Sequence, residues 1–282
     1  MSNHISAKIV ADSLNVKTGN RITSFVLVYH RYILAELNTH RAFSRNTSSS
    51  RAIPVSKMIE QVKTTPAIPI HWGKNQKGMQ ASEELTPEQQ EQARLLWLEA
   101  AENAVNSAQK MTELGLHKQV ANRVLEPFQY VTTLLTATEF GNFYNLRVHP
   151  DAQPEIDCLS RKMAEAQAAS VPKRLQPGEW HMPFCDTLMQ DAPEDLATRL
   201  KIATARAARV SYRNFEGTID FTKDTELHDS LKASGHMSPF EHSARAMGNG
   251  WVSGNFVGWE QYRKTIPNEN RGTFDFSSIT KN

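Results

Sequence analysis

Between His40 and Arg51 the chain sets three arginines (Arg41, Arg45, Arg51), one histidine, one asparagine and four serines (Ser44, Ser48, Ser49, Ser50) on twelve consecutive positions, with no acidic residue among them. Guanidinium forks match phosphate oxygens, and serine hydroxyls and backbone N–H groups add shorter bonds. The stretch reads as an anion-binding turn whose natural occupant is a phosphate ester. A solvated polar loop and a patch for nucleic-acid backbone are the competing readings.

Charge and composition narrow the field. A net charge of +2 on 282 residues is too small for a general nucleic-acid coating, so the anion must be held locally. Apolar residues at 39% and charged ones at 22% are those of a soluble globular protein large enough to bury a substantial core. No apolar run reaches membrane-spanning length, and Met1 to Lys8 lacks a basic stretch followed by an apolar one, so a cytoplasmic protein is expected. Cys158 and Cys185 form no Cys-x-x-Cys pair, which suggests neither a disulfide framework nor a thiolate metal site. The chain has no Gly-x-Ser-x-Gly elbow, Walker-type loop or Gly-x-Gly-x-x-Gly.

The turn must be carried by regular elements. Ile22 to Tyr29 is β-rich and reads as a strand, and Arg31 to Thr39 has helical spacing through Ile33, Leu34 and Leu37. Prolines and glycines make a long loop of the stretch from Ile68 to about Leu85. Thr86-Pro87-Glu88-Gln89 is a capping box with proline at the first helical position, and Gly115 ends the helix it opens. Ala93, Leu96, Trp97, Ala100, Ala101, Ala104, Ala108, Met111 and Leu114 give that helix one apolar face. Further helices are expected over Glu126 to Glu139, Pro154 to Ala169, Ala192 to Val210 and Thr225 to Ala233. Trp251 to Phe256 reads as a strand and Trp259 to Lys264 as a short helix. Val171 to Pro183 reads as a loop with Trp180 and His181 as core anchors in preference to cleft lining, and the residues from about Arg271 as a tail.

Four more clusters carry polar groups able to converge on the turn: Asn122-Arg123, Asn142 to His149, Ala207 to Tyr212, and Ser234 to His242. Each has an ordinary structural use, as a salt bridge, a packed element end or a helix terminus. His236 and His242 are six positions apart with Pro239 between them and no third ligand in sight, so no metal is expected.

Taken together, these segments resemble the flavin-dependent thymidylate synthases. That family's hallmark is Arg-His-Arg, seven residues, then Ser; here Thr39-His40-Arg41 precedes Ser49 by seven residues, with Ser44, Asn46 and Arg51 in register. Asn142 to Ile156, with Leu146-Arg147 and Ala152-Gln153-Pro154-Glu155-Ile156, resembles the family's Asn-Phe-Leu-x-Leu-Arg and Ala-Gln-x-Glu-Ile segments. Ala207 to Ser211 and Gly235 to His242 resemble its Ala-Ala-Arg-Val-Ser and His-x-Ser-Pro-Phe-Glu-His segments. In the usual family chain those last two come first, so the resemblance implies a circularly permuted order, which is admissible where termini lie close together. Departures are Thr39 for the first arginine, Thr47 for a glutamate, Glu36 for a glutamine and Thr136 for an asparagine.

The resemblance implies an α/β (α+β) subunit with a mostly antiparallel sheet, a single catalytic domain over 1–282, and a homotetramer with shared active sites. It implies FAD as cofactor, dUMP as substrate, and NADPH and methylene-tetrahydrofolate as co-substrates. By motif position Glu36, Ser48, Ser49, Ser50, Arg51 and Arg123 would hold dUMP, and Arg147 would face the uracil as the catalytic residue. His40, Arg41, Asn142, His236 and Ser238 would contact FAD. Two alternatives remain in this reading: a dUMP hydroxymethylase, and a nucleotide or nucleic-acid binder without flavin.

Overall fold

The computed structural model describes residues 4–184, 195–212, 220–270, 277 and 279. Cys185, the expected helix start at Ala192 and most of the tail from Arg271 lie outside the described residues. The chain opens with β1 (Ser6–Asn15) and β2 (Arg21–His30), and a 3-10 turn over Arg31–Ile33 leads into α1 (Leu34–Asn38). There follow β3 (Ser44–Thr47), α2 (Val55–Thr64), α3 (Pro87–Glu113), α4 (Lys118–Ala121), a 3-10 segment Asn122–Phe128, and β4 (Tyr130–Ala137). Next come α5 (Gly141–Arg147), α6 (Pro154–Ala169), β5 (Lys173–Leu175), β6 (Trp180–His181), α7 (Leu196–Arg209) and α8 (Phe221–Ser234). Four short strands close the described chain: β7 (Ala244–Ala246), β8 (Val252–Ser253), β9 (Phe256–Val257) and β10 (Trp259–Gln261).

The main sheet has the order β3-β4-β2-β1-β5, antiparallel except for the β1/β5 pair. This is the expected mixed architecture with a mostly antiparallel sheet. A three-stranded antiparallel sheet β10-β7-β6 and the hairpin β8-β9 are built from the later residues. Helix α6 packs across β1 and β2, and the core between them joins Phe25, Leu27, Tyr29, Phe143, Ile156, Leu159 and Met163. Thr86 caps α3 as expected: its hydroxyl accepts from Gln89 N at 3.3 Å while Gln89 Oε1 accepts from Thr86 N at 3.2 Å.

Several expectations are corrected. The helix expected over Glu126 to Glu139 is instead the end of a 3-10 segment followed by β4, whose eight residues are all buried. A strand covered on both faces has no alternation, so its unbroken run imitates a helix core; the threonines and Val131 in it favour the extended chain. Trp259 to Lys264 divides into β10 and a 3-10 turn, and the strand expected over Trp251 to Phe256 is a hairpin turning at Gly254, where φ is +63°. The turn expected to bind an anion contains an edge strand, β3, paired to β4. On α3 only Ala101, Val105 and Ala108 of the apolar stripe and its neighbours are fully buried, while Leu96 is exposed.

A polar seam crosses the main sheet. Ser13 on β1 contacts His181 Nδ1 at 2.9 Å, and His181 Nε2 contacts Ser24 on β2 at 2.9 Å. Ser24 meets Thr136 on β4 at 2.6 Å, Thr136 meets His242 Nδ1 at 2.9 Å, and His242 Nε2 meets Asn46 Oδ1 on β3 at 3.4 Å. Asn46 Nδ2 donates to Ala207 O, so its Oδ1 must accept, and every proton along the seam then points from Ser13 towards Asn46. Both histidines are neutral in this arrangement, and burial pushes each down to about 3. The seam carries His242 and Ala207, from the last two motif segments, onto the strand that holds Asn46.

Candidate functional site

The residues expected at the site fall into three groups. The first lies where the end of β3 meets the 3-10 segment Asn122–Phe128. Ser48 continues the ladder with β4, its N–H donating to Thr132 O at 2.8 Å and its hydroxyl accepting from Thr132 N at 3.1 Å. Ser49 N donates to Ser211 O at 3.0 Å, joining the turn to the end of the Ala207 to Ser211 segment. Asn122 Nδ2 donates to the carbonyls of Ser50 and Ile53, at 2.6 and 2.9 Å, and so fixes the bend. Here three donors meet a single oxygen, Oε1 of Glu126: Ser50 Oγ at 2.7 Å, Arg123 Nη1 at 2.8 Å and Arg31 Nη2 at 3.1 Å. The acid that the His40 to Arg51 stretch lacks is thus brought from 75 positions beyond Arg51. Arg51 itself is exposed.

A cavity of about 540 Å³ adjoins this group, lined by Arg31, Tyr32, Leu34, Ala35, Asn38, Arg123, Glu126 and Pro127. Arg31, Leu34, Ala35 and Asn38 recur at three and four and form one face of the short helical run. Neither Arg31 nor Glu126 stands out in the sequence. Glu126 follows Arg123 by three residues, a spacing that pairs side chains on a helical turn and is the one signal that could flag it.

The second group lies on the other side of α1. Arg147, at the end of α5, donates through Nε to His40 Nε2 at 3.0 Å and places Nη1 3.8 Å from Glu36 Oε2. His40 sits edge-on to Phe143, ring centres 4.9 Å apart, and near Phe43 at 5.9 Å. Burial, then the Arg147 and Arg45 guanidiniums, hold the His40 imidazole below its ordinary range. Burial raises the Glu36 carboxyl; Arg147 opposes that rise and Glu155 adds to it. Asn142 and Arg41 are exposed beside this group, one residue from Phe143 and His40 respectively. Arg45, expected to be free for phosphate, serves the backbone instead. Its Nη1 donates at 3.0 Å to each of the carbonyls of Leu37 and His40, closing the end of α1.

The third group is His236 and Ser238, both exposed after α8, where the αL residue Gly235 ends the helix at φ +76°. His236 Nδ1 lies 2.8 Å from Ser234 Oγ. Thr39, Thr47 and Thr136, three of the four departures from the family pattern, have partners within the fold: Glu36 O, Thr133 Oγ1, and the seam residues Ser24 and His242. One chain brings Ser50 together with Arg123, and Glu36 with His40 and Arg147, on two sides of the same short helix.

An α+β chain with three donors gathered on Glu126 and a guanidinium–imidazole pair is what the fold and site define. The chain belongs to the thymidylate synthase complementing protein family, whose model matches residues 22–173, more than half its length. That span runs from β2 to the first residue of β5 and holds the turn from His40 to Arg51, Arg123 and the Arg147 group; the segments Ala207 to Ser211 and Gly235 to His242 follow it. Among solved structures, the UMP/dUMP methylase PolB from Streptomyces cacaoi bound with 5-Br UMP is similar at 17% identity, covering 59% of this chain and 90% of that one, with a TM-score of 0.49. The same protein bound with 5-Br dUMP is similar at 18% identity, covering 52% and 67%, with a TM-score of 0.42. No curated protein matches.

Proposed function

We propose that this protein is a flavin-dependent thymidylate synthase that methylates dUMP reductively, with methylene-tetrahydrofolate and NADPH as co-substrates and FAD as cofactor. The observation that carries the reading is the Glu36, His40 and Arg147 constellation inside the segment that matches the family. Arg147 is the residue for the uracil. A guanidinium beside ring N3 stabilises the negative charge left when N3 loses its proton, and this raises electron density at the carbon to be alkylated. No cysteine nucleophile is needed for that route, which suits a chain whose Cys158 lies on α6 rather than in a motif. Ser48, Ser49, Ser50, Arg51 and Arg123 hold the nucleotide, its phosphate above all, with Glu36 also near the nucleotide.

The chemistry of the donor set fits FAD. Arg41 and Asn142 are exposed donors flanking the half-buried His40, and His236 and Ser238 form a separate exposed pair. These five residues would hold the cofactor, which supplies hydride chemistry when bound. The two groups of nucleotide residues lie on opposite sides of α1, and the His236 pair lies after α8. A site completed by a second copy of the chain, in a homotetramer of single-domain subunits, is therefore part of the proposal.

The first test is colour. Purified protein absorbing at roughly 450 nm carries oxidised flavin, and a colourless protein that binds no added FAD would overturn the cofactor assignment. Mass spectrometry of the product formed from dUMP, methylene-tetrahydrofolate and NADPH then decides the reaction. A methyl group on the uracil supports the proposal, and a hydroxymethyl group replaces it with the hydroxymethylase reading.

A further inference from the structure

We infer that Arg31, which lies outside the anion-binding turn, is a further ligand of the substrate's phosphate, and that Glu126 is the residue that positions it. The inference deepens the nucleotide reading given above, but it concerns the phosphomonoester alone and does not depend on which base is attached.

Ser50, Arg123 and Arg31 all reach one oxygen, Glu126 Oε1, at 2.7, 2.8 and 3.1 Å. Arg31 also donates through Nη1 to Ser48 O at 3.4 Å. Its guanidinium is therefore held at two points, one on the anion-binding turn and one on the carboxylate. Arg31 is largely buried, with 13% of its side chain exposed against 51% for Arg123, so its position is set by packing and not by solvent. A guanidinium carries five N–H donors and no acceptor. Two such groups sharing one carboxylate oxygen retain donors for another anion, and both line the adjoining cavity of about 540 Å³.

Charge supports the same conclusion. Arg31 and Arg123 carry two positive charges against one negative charge on Glu126. The excess of one favours an anion at this place, and a phosphomonoester, which carries between one and two negative charges near neutral pH, is such an anion. Two guanidiniums on one carboxylate leave a positive excess beside the cavity, and a bound anion would offset it. The remaining cavity wall, from Tyr32, Leu34, Ala35, Asn38 and Pro127, carries no charge and suits the uncharged part of a nucleotide better than a second anion.

Glu126 acts through the arginines. Its oxygen sets the angle of both forks, while its negative charge opposes the incoming phosphate. These two effects separate by substitution, because Glu126→Gln keeps Oε1 as an acceptor and removes the charge, whereas Glu126→Ala removes both.

The test is calorimetric titration of the full chain, as purified, with dUMP and with ribose 5-phosphate, a monoester that has no base. Arg31→Gln is expected to weaken both by about 30-fold, the worth of one charge-assisted bond, while the protein without ligand melts within about 2 °C of the parent. Arg31→Lys is expected to restore part of the loss, since it keeps the charge without the fork. Glu126→Gln should bind both ligands several-fold more tightly, and Glu126→Ala more weakly than the parent. Affinity within twofold of the parent in Arg31→Gln, or loss that follows only from unfolding, overturns the inference. Arg31-dependent binding of ribose 5-phosphate with no gain for dUMP leaves the inference standing and sinks the uridylate reading instead. A parent protein that binds neither ligand overturns both.

Discussion

Arg147 donates to an unprotonated nitrogen of His40. A guanidinium N–H can only donate, so the 3.0 Å contact from Nε requires a lone pair on His40 Nε2 and places the imidazole proton on Nδ1. The lowered pKa of His40 agrees, its causes being burial and then the neighbouring Arg147 and Arg45. As pH falls through that lowered value, His40 gains a charge beside Arg147 and loses its acceptor. The expected outcome is a kcat/KM profile that falls on the acid side of the ordinary histidine range. His40→Asn, which keeps an acceptor and does not titrate, should flatten that limb. A limb that persists in the variant would assign the titration to another group.

Arg147→Ala is expected to abolish turnover while leaving flavin bound, because the side chain is assigned to the uracil and not to the cofactor. Activity and flavin absorbance measured on one preparation separate these roles. Loss of the flavin band together with activity would show that Arg147 is a cofactor residue.

Arg51→Ala is expected to weaken dUMP binding severely, by roughly 10-fold to 100-fold if one charge-assisted pair is lost. The residue is exposed, so its removal should scarcely alter stability. Unchanged affinity in a titration would move the phosphate away from the turn.

The polar seam makes the fold acid-sensitive. His181 and His242 sit at about 3 when folded against an ordinary 6.5, so between those values the unfolded chain binds protons that the folded one refuses. Their contribution is complete above pH 6.5 and is lost as pH falls towards 3, at roughly 1 kcal/mol or a little more per pH unit for each histidine. Denaturant midpoints measured from about pH 7 to about pH 4 should decline steeply. Ser13→Ala leaves one end of the seam open and should lower stability at neutral pH while changing that slope little. A flat profile in the parent protein would mean that neither histidine is held neutral.

Much of this arrangement is legible in the residues. The capping box at Thr86, the strand at Ile22 to Tyr29 and the helix at Pro154 to Ala169 are local patterns, and local patterns decide them. The failures have non-local causes. β4 imitates a helix in the sequence because burial on both faces removes the alternation that betrays a strand. Arg45 resembles a phosphate ligand because nothing in the sequence shows that α1 ends with its carbonyls within reach of that side chain. Glu126 is the residue hardest to foresee, since its pairing with Ser50 and Arg31 spans 76 and 95 positions and exists only once the 3-10 segment lies beside the turn. Spacing alone cannot tell apart the two groups on either side of α1, because Arg31 and Glu36 are close in sequence and face different neighbours.

The segment Ala207 to Ser211 meets the turn at Ser49, and a buried ion pair anchors the helix that carries it, which gives a further test of how distant motifs cooperate. Asp224 on α8, wholly buried, receives Arg206 Nε at 2.8 Å and Arg209 Nε at 2.7 Å, both from α7. Two residues past Arg209, the carbonyl of Ser211 accepts the N–H of Ser49. Removing one member of a buried pair leaves uncompensated charge and costs about 3–5 kcal/mol. Asp224→Ala should therefore lower the melting temperature by roughly 10 °C, and Asp224→Asn, which keeps one acceptor, by less. Because α7 carries Ser211 to the turn, dUMP affinity measured well below the melting transition should fall in Asp224→Ala, although the residue touches no proposed ligand. Unaltered affinity in the folded variant would show that the Ser49 contact does not depend on the pair, and that the Ala207 to Ser211 segment supports the sheet and not the nucleotide.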